Sequence, residues 1–119
     1  MGMFEVPIRI ANFEKRERSA DLSLVVDTGA TLSWIPREVL EGLGIEPLTG
    51  LPFRLADGRS IQRDIGGVLL KIDGREALVS VVFAESGESP LLGATALETL
   101  GQVVDPVGRQ LHSRDIRRI

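Results

Sequence analysis

The chain has 119 residues and a mass of 12.9 kDa, enough for one hydrophobic core and too little for two, so residues 1–119 are expected to form a single domain. Hydrophobic residues make up 43% and charged residues 26%, ordinary proportions for a soluble globular protein, while thirteen Gly and six Pro point to frequent turns and short strands. With no Cys and one His, a disulfide scaffold, a thiolate nucleophile and Cys- or His-clustered metal sites are excluded.

In chain order, Met3–Ala11 and Asp21–Asp27 alternate as strands do, with Leu22, Leu24 and Val26 on one face of the second. The charged stretch Asn12–Ser19 is expected to join them as an exposed turn. Thr31–Ile35 reads as a short strand and Pro36–Leu43 as a helix. Pro suits the first helical position because its missing N–H would be unpaired there, and Gly44 suits a left-handed stop. Asp57-Gly58 and Asp73-Gly74 each sit between strand-like residues, the strongest short hairpin signal. They predict one hairpin over Leu51–Asp64 and another joining Gly67–Ile72 to Glu76–Ala84. Leu78, Val79, Val81, Val82 and Phe83 form a nearly continuous apolar run, expected to be buried on both faces. The polar loop Glu85–Pro90 leads to Leu91-Leu92-Gly93 and a short helix Ala94–Leu100 stopped by Gly101. The turn Asp105-Pro106-Val107-Gly108, with Pro second, then enters a last strand near Arg109–Ser113. The expected fold is mainly β with one or two short helices, closed on itself as a small barrel or folded sheet.

The net charge of −3 conceals a segregation: residues 21–108 hold six bases against thirteen acids, while both ends are basic. A nucleic-acid binder needs a basic body, so no nucleic-acid partner is expected, and Arg114–Arg118 reads as a solvated terminus. No apolar run approaches the ~20 residues that span a bilayer, and Met1–Ile10 lacks a signal-peptide core. The expectation is a soluble, cytoplasmic protein with no membrane partner, the alternative being secretion by a route the sequence does not show.

One segment can carry chemistry: Leu24-Val25-Val26-Asp27-Thr28-Gly29-Ala30-Thr31. The apolar strand delivers Asp27 to a turn, Thr28 can anchor that turn, and Gly29 permits close backbone approach. By itself Asp-x-Gly is a common strand-ending turn. In this context, however, Asp27-Thr28-Gly29-Ala30 resembles the catalytic signature of the aspartic proteases. Leu91-Leu92-Gly93-Ala94, then Leu97, follows 64 residues later and resembles that family's second marker, an apolar-apolar-Gly segment that supports the catalytic loop. The resemblance runs from about Asp21 to Asp105. Because Asp-Thr-Gly occurs once in a short chain, the likeness is to the single-domain, retroviral-type (retropepsin-like) branch.

This resemblance implies an acid-protease-like barrel active as a two-fold homodimer on a peptide or protein substrate, with no cofactor and no metal. Asp27 would be the catalytic carboxylate, and neither Asp57 nor Asp64 is a convincing partner for it within the chain. Thr28 would brace the two catalytic loops across the axis, Gly29 would present backbone carbonyls to substrate, and Ala30 would complete the loop's support. Ala30, Thr31 and Leu32 lie where the family builds its substrate-side wall, and Leu32 and Ile65 are candidate apolar lining. The candidate flap is Phe53–Ile61, whose tip residues Ala56, Asp57, Gly58 and Arg59 would meet substrate. Retroviral flap tips are glycine-rich, whereas this one has Gly58 alone, and the flap Tyr of pepsin-like enzymes is absent. Arg109–Ile119 does not clearly match the sheet that locks retroviral dimers.

Other candidates are weaker. Trp34 is expected to pack in the core, and His112 to be exposed or satisfied. Ser33 and Ser89 have no base nearby in any motif. Asp27 with Asp105 or Glu98 lacks the dense oxygen-ligand loop of a cation site, and nothing resembles G-x-x-x-x-G-K or G-x-G-x-x-G. The alternative to an enzyme is a non-catalytic module of the same fold used for dimerisation or peptide binding.

Overall fold

Alternating apolar residues make the first two strands a curved antiparallel pair, β1 (Glu5–Ala11) against β2 (Ser19–Val26), with Val6, Ile8 and Ile10 turned inward. This computed structural model describes residues 3–116, so Arg117 and Arg118 of the predicted solvated tail lie outside the described residues. The connection between β1 and β2 has a buried anchor, contrary to the fully exposed turn expected. Asn12 accepts the N–H groups of Glu14 and Lys15 on Oδ1 and donates through Nδ2 to the Leu43 carbonyl at 2.9 Å.

After the Asp27 loop come β3 (Ser33–Pro36) and α1 (Arg37–Gly42). The strand starts two residues later than predicted because the Thr31 carbonyl bonds to the Thr95 N–H. Pro36 is not the first helical residue: with φ −53° and ψ 133° it remains extended, paired with Ala84. Gly44, at φ 76°, supplies the left-handed exit as expected.

The two predicted hairpins share one strand. β5 (Ser60–Ile72) pairs with β4 (Thr49–Arg54) through its first half and with β6 (Arg75–Ala84) through its second. Gly66 does not interrupt it but lets it cross Phe83, whose ring would lie 2.8 Å from a Cβ there. The two Asp-Gly pairs also make different turns. Asp73 (φ 50°) and Gly74 (φ 80°) form a two-residue mirror-image turn, whereas Ala56-Asp57-Gly58 is a three-residue loop with only Gly58 left-handed. The apolar run of β6 is buried on both faces only from Val81 onward, because the barrel's outer face is open to solvent at Leu78 (57% exposed) and Ser80.

β7 (Leu91–Leu92) and α2 (Ala94–Thr99) follow, and then a hairpin of β8 (Gln102–Asp105) and β9 (Gln110–Ser113). β8 was not expected from the sequence; it pairs only with β9, in a separate two-stranded sheet. The main sheet runs β1-β2-β7-β3-β6-β5-β4, and β5 returns to pair with β1 through Ile10↔Leu70, which closes the barrel. β4 alone stays outside the closed ring, attached to β5. Ile10, Leu24, Ile35, Val68, Leu70, Val81, Phe83 and Leu92 fill the interior, joined by Leu40 from α1 and Leu97 from α2.

This division of β6 and β5 into buried and open positions predicts unequal costs of truncation. Leu70→Ala should lower unfolding free energy by about 2–5 kcal/mol in urea denaturation. Leu78→Ala should change it by less than about 0.5 kcal/mol, despite its place in the apolar run.

Candidate active site

Val25 and Val26 at the end of β2 pair in parallel with Leu91 and Leu92, and the Asp27 N–H then donates to the Leu92 carbonyl at 2.9 Å. The chain turns immediately. Asp27 Oδ1 accepts the Gly29 N–H at 3.0 Å, and the Asp27 carbonyl accepts the Ala30 N–H at 3.2 Å. One carboxylate oxygen is thereby fixed to its own loop. Asp27 is half-buried, and Thr28 and Gly29 are exposed.

The loop rests on the start of α2. Ala94 and Thr95 donate their N–H groups to the carbonyls of Ala30 and Thr31 at 2.8 and 3.0 Å. These are N–H groups that a helix start leaves without intrahelical partners, so loop and helix satisfy each other. The approach requires glycine at Gly93, where a Cβ would stand 2.5 Å from the Leu32 carbonyl oxygen and 2.9 Å from that of Ala30. Ser33 completes the joint. It is 1% exposed, and its Oγ accepts the Gly93 N–H at 2.9 Å. In the sequence Ser33 reads only as a nucleophile without a base; the signal for its role is a hydroxyl at an inward position of an apolar strand.

Two hollows flank the loop. One, of about 360 Å³, lies between Gly29–Leu32 with Trp34 and the segment Pro52–Leu55 at the end of β4. Trp34 is half-buried here rather than in the core, and its ring meets Phe53 edge-on at 5.4 Å. Ile65 is buried away from this cleft. The tip residues Ala56, Asp57, Gly58 and Arg59 are exposed and do not line it. At the tip, Arg59 donates its N–H to Asp57 Oδ1 at 3.0 Å and Nε to Oδ2 at 2.7 Å, which holds the Asp57 carboxyl below its ordinary range.

The second hollow, of about 160 Å³, is bounded by Met3, Phe4, Val26, Asp27, Thr28, Val104 and Pro106. The β8–β9 hairpin reaches this side, tied to the N-terminal segment by Arg109 Nη2 donating to the Met3 carbonyl at 2.9 Å. Val107 at its turn is 92% exposed. His112 is exposed and pairs with Asp105 at 3.1 Å. Among the described residues, Asp27 is the one carboxylate that lines the smaller hollow, and none lines the larger. Among the described residues no cluster of three or more His, Asp or Glu side chains could hold a metal ion, and no helix is long and apolar enough to cross a membrane.

The aspartyl protease family model matches residues 6–96 of the chain, which include the Asp27 loop and Leu91–Ala94. No curated protein matches it in sequence. Among solved structures, the EIAV protease in complex with an inhibitor is similar at 20% identity and a TM-score of 0.62, covering 84% of this chain and 89% of that one. The retroviral protease-like domain of Ddi1 from Leishmania major is similar at 17% identity and a TM-score of 0.59, covering 98% and 91%. A retropepsin-like aspartic protease from Rickettsia conorii is similar at 17% identity and a TM-score of 0.52, covering 88% and 89%. At these identities the likeness is one of fold.

The Gly93 joint makes its own prediction. Gly93→Ala should destabilise the fold by about 1–3 kcal/mol, since backbone must move to admit the methyl group. Ser33→Ala should cost about 1–3 kcal/mol by leaving a buried N–H without an acceptor. Thermal or urea denaturation of both variants checks this.

Proposed function

The chain belongs to the aspartyl protease family, and we propose that residues 1–119 act as one domain of a homodimeric aspartic endopeptidase, with Asp27 of each copy at a shared two-fold axis. The observation that carries this reading is a single Asp27 on a braced loop, with no second carboxylate among the described residues that line the two adjoining hollows. Peptide hydrolysis by activated water needs a base for the water proton and an acid for the carbonyl oxygen and, later, the amine. Two adjacent carboxylates supply both by sharing one proton, because they cannot both ionise side by side. A second copy provides the second carboxylate.

In the assembled site, water sits between the two Asp27 side chains and attacks the scissile carbonyl as one carboxylate takes its proton. The other carboxyl protonates the developing oxyanion, and the tetrahedral intermediate collapses with proton transfer to the amine. Thr28 braces the two loops across the axis, and Gly29 and Ala30 offer backbone groups to an extended peptide. Thr31 and Leu32 form one wall, and the β4–β5 hairpin, through Ala56–Arg59, closes over the substrate. The hollow beside Leu32, Trp34, Phe53 and Leu55 suits an apolar side chain.

One observation favours a second reading, a peptide-binding or dimerisation module without turnover. The flap tip is occupied by the Asp57–Arg59 pair rather than by glycines, and it stands clear of the cleft.

Asp27→Asn should abolish cleavage of an apolar decapeptide and leave the dimer folded; cleavage at the parent rate would remove Asp27 from the catalytic role. Thr28→Ala should weaken dimerisation in sedimentation at low micromolar concentration, by roughly 1 kcal/mol for each of the two hydrogen bonds lost across the axis. Replacing Asp57 and Arg59 together with Gly should raise kcat/KM, with Asp27→Asn as the blank, and should alter stability by less than about 1 kcal/mol. An unchanged kcat/KM favours the non-catalytic module.

A further inference from the structure

The β4–β5 hairpin has little sheet support of its own. β4 pairs with β5 alone, and β5 passes from hairpin to barrel through Gly66-Gly67, where no side chains stiffen the strand. Charged side chains from two other places, α1 and the Glu85–Pro90 loop, meet β5 at Arg63 and Asp64, just before this junction. Arg37, at the start of α1, donates through Nη2 to Asp64 Oδ2 at 2.6 Å and through Nε and Nη2 to Glu85 Oε2 at 3.0 and 2.8 Å. Its guanidinium lies 5.0 Å from the Phe83 ring centre, the ring that Gly66 crosses, and Glu41 approaches it at 3.5 Å. Arg63, next to Asp64, grips Glu88 through Nε and Nη2 at 3.0 and 2.6 Å, and Glu88 Oε1 also accepts the Glu85 N–H at 2.8 Å.

These pairs differ from the surface pair Arg9–Asp21. The side chains of Arg37 and Arg63 are 27% and 21% exposed, and each makes several bonds, so they are screened less and lose less freedom per bond. The residues they hold also reach the catalytic loop. Glu85–Pro90 runs directly into Leu91-Leu92, and the Leu92 carbonyl takes the Asp27 N–H. On the cleft side, the hairpin touches the barrel through Phe53 on Trp34.

We propose that the Arg37–Asp64–Glu85 and Arg63–Glu88 pairs are the hinge clasp of the hairpin, setting its pitch over the cleft and so the separation of Phe53 from Trp34. This rests on reading β4–β5 as the flap of the proposed enzyme. Arg37, Arg63 and Glu88 are positioning residues; none of them lines the cleft. The clasp is also sensitive to acid. Arg63 chiefly, with the Glu85 N–H, holds the Glu88 carboxyl below its ordinary range, while Glu85, Asp64 and Glu41 are the other acids of the cluster and Arg37 its other base. With its value depressed in the folded state, Glu88 contributes fully above the ordinary carboxylate range, and the contribution is lost as pH falls through the lowered value.

The test needs no catalysis. Hydrogen exchange of amides in residues 50–64 is compared with that in residues 68–82 for the parent, Arg63→Met and Glu88→Gln, and acrylamide quenching of Trp34, the only Trp, is followed in parallel. Exchange in 50–64 should quicken about fivefold in each variant with 68–82 unchanged, as expected for a local opening. Trp34 should become more quenchable, and the double variant should add nothing to the singles, because both remove the same pair. Unchanged exchange and quenching in both variants overturns the clasp. Equal acceleration in 50–64 and 68–82 also overturns it, since the pairs would then support the whole barrel. Because no substrate is used, a parent inert toward peptides would defeat the enzyme reading and leave this result standing.

Discussion

The site depends on one close approach: the backbone of Gly93 against the carbonyls of Ala30 and Leu32. With no side chain between them, the first N–H groups of α2 reach the Asp27 loop, and the carbonyls of that loop satisfy them. The same contact places Leu92 where its carbonyl takes the Asp27 N–H. A carboxylate on a free loop would wander; this one is tied through its backbone on one side and through Oδ1 on the other. Preorganisation of this kind lets a side chain act without first being ordered by its substrate.

Around that joint, β5 carries two tasks in one strand. Its second half closes the barrel against β1 and β6, while its first half leaves the ring and carries β4 over the cleft. Closure removes exposed sheet edges from the barrel and leaves β4 as the free edge of the main sheet. The cleft is therefore bounded by Gly29–Leu32 and Trp34 on one side and by the β4–β5 hairpin on the other. The other side of the Asp27 loop faces the small hollow reached by the β8–β9 hairpin, so the loop stands between the cleft beside Leu32 and the separate two-stranded sheet.

Several features were legible because they depend on neighbours in sequence. Alternation marked β1 and β2, the Asp73-Gly74 pair marked a turn whose two positions both require left-handed backbone, and Gly44 marked a helix exit. Errors arose where distant segments decide. Asn12 looked like part of a solvated turn, but the Leu43 carbonyl draws its amide inward. Leu78 looked like core, but the outer face of β6 is open at that point. Asp57-Gly58 has the same letters as Asp73-Gly74 and makes a longer loop, since the β4–β5 register fixes how many residues must turn.

The sequence alone determined the mainly β class, the order of most elements, and Asp27-Thr28-Gly29 with Leu91-Leu92-Gly93 as the segments to examine. The class and the element order follow from local chemistry, side-chain period and turn residues, and the two segments from their resemblance to the paired markers of the aspartic proteases. Only the tertiary structure decided that Gly93 and Ser33 form the seat of the Asp27 loop, that β5 unites two predicted hairpins, and that Arg37 pairs with Asp64 and Arg63 with Glu88 near the hairpin base. Each of these joins residues far apart in the chain, and the shape of a single Gly, Ser or Arg carries no record of its partner. Close approach and charge pairing are properties of the packed molecule, settled only when the barrel closes and brings the segments together.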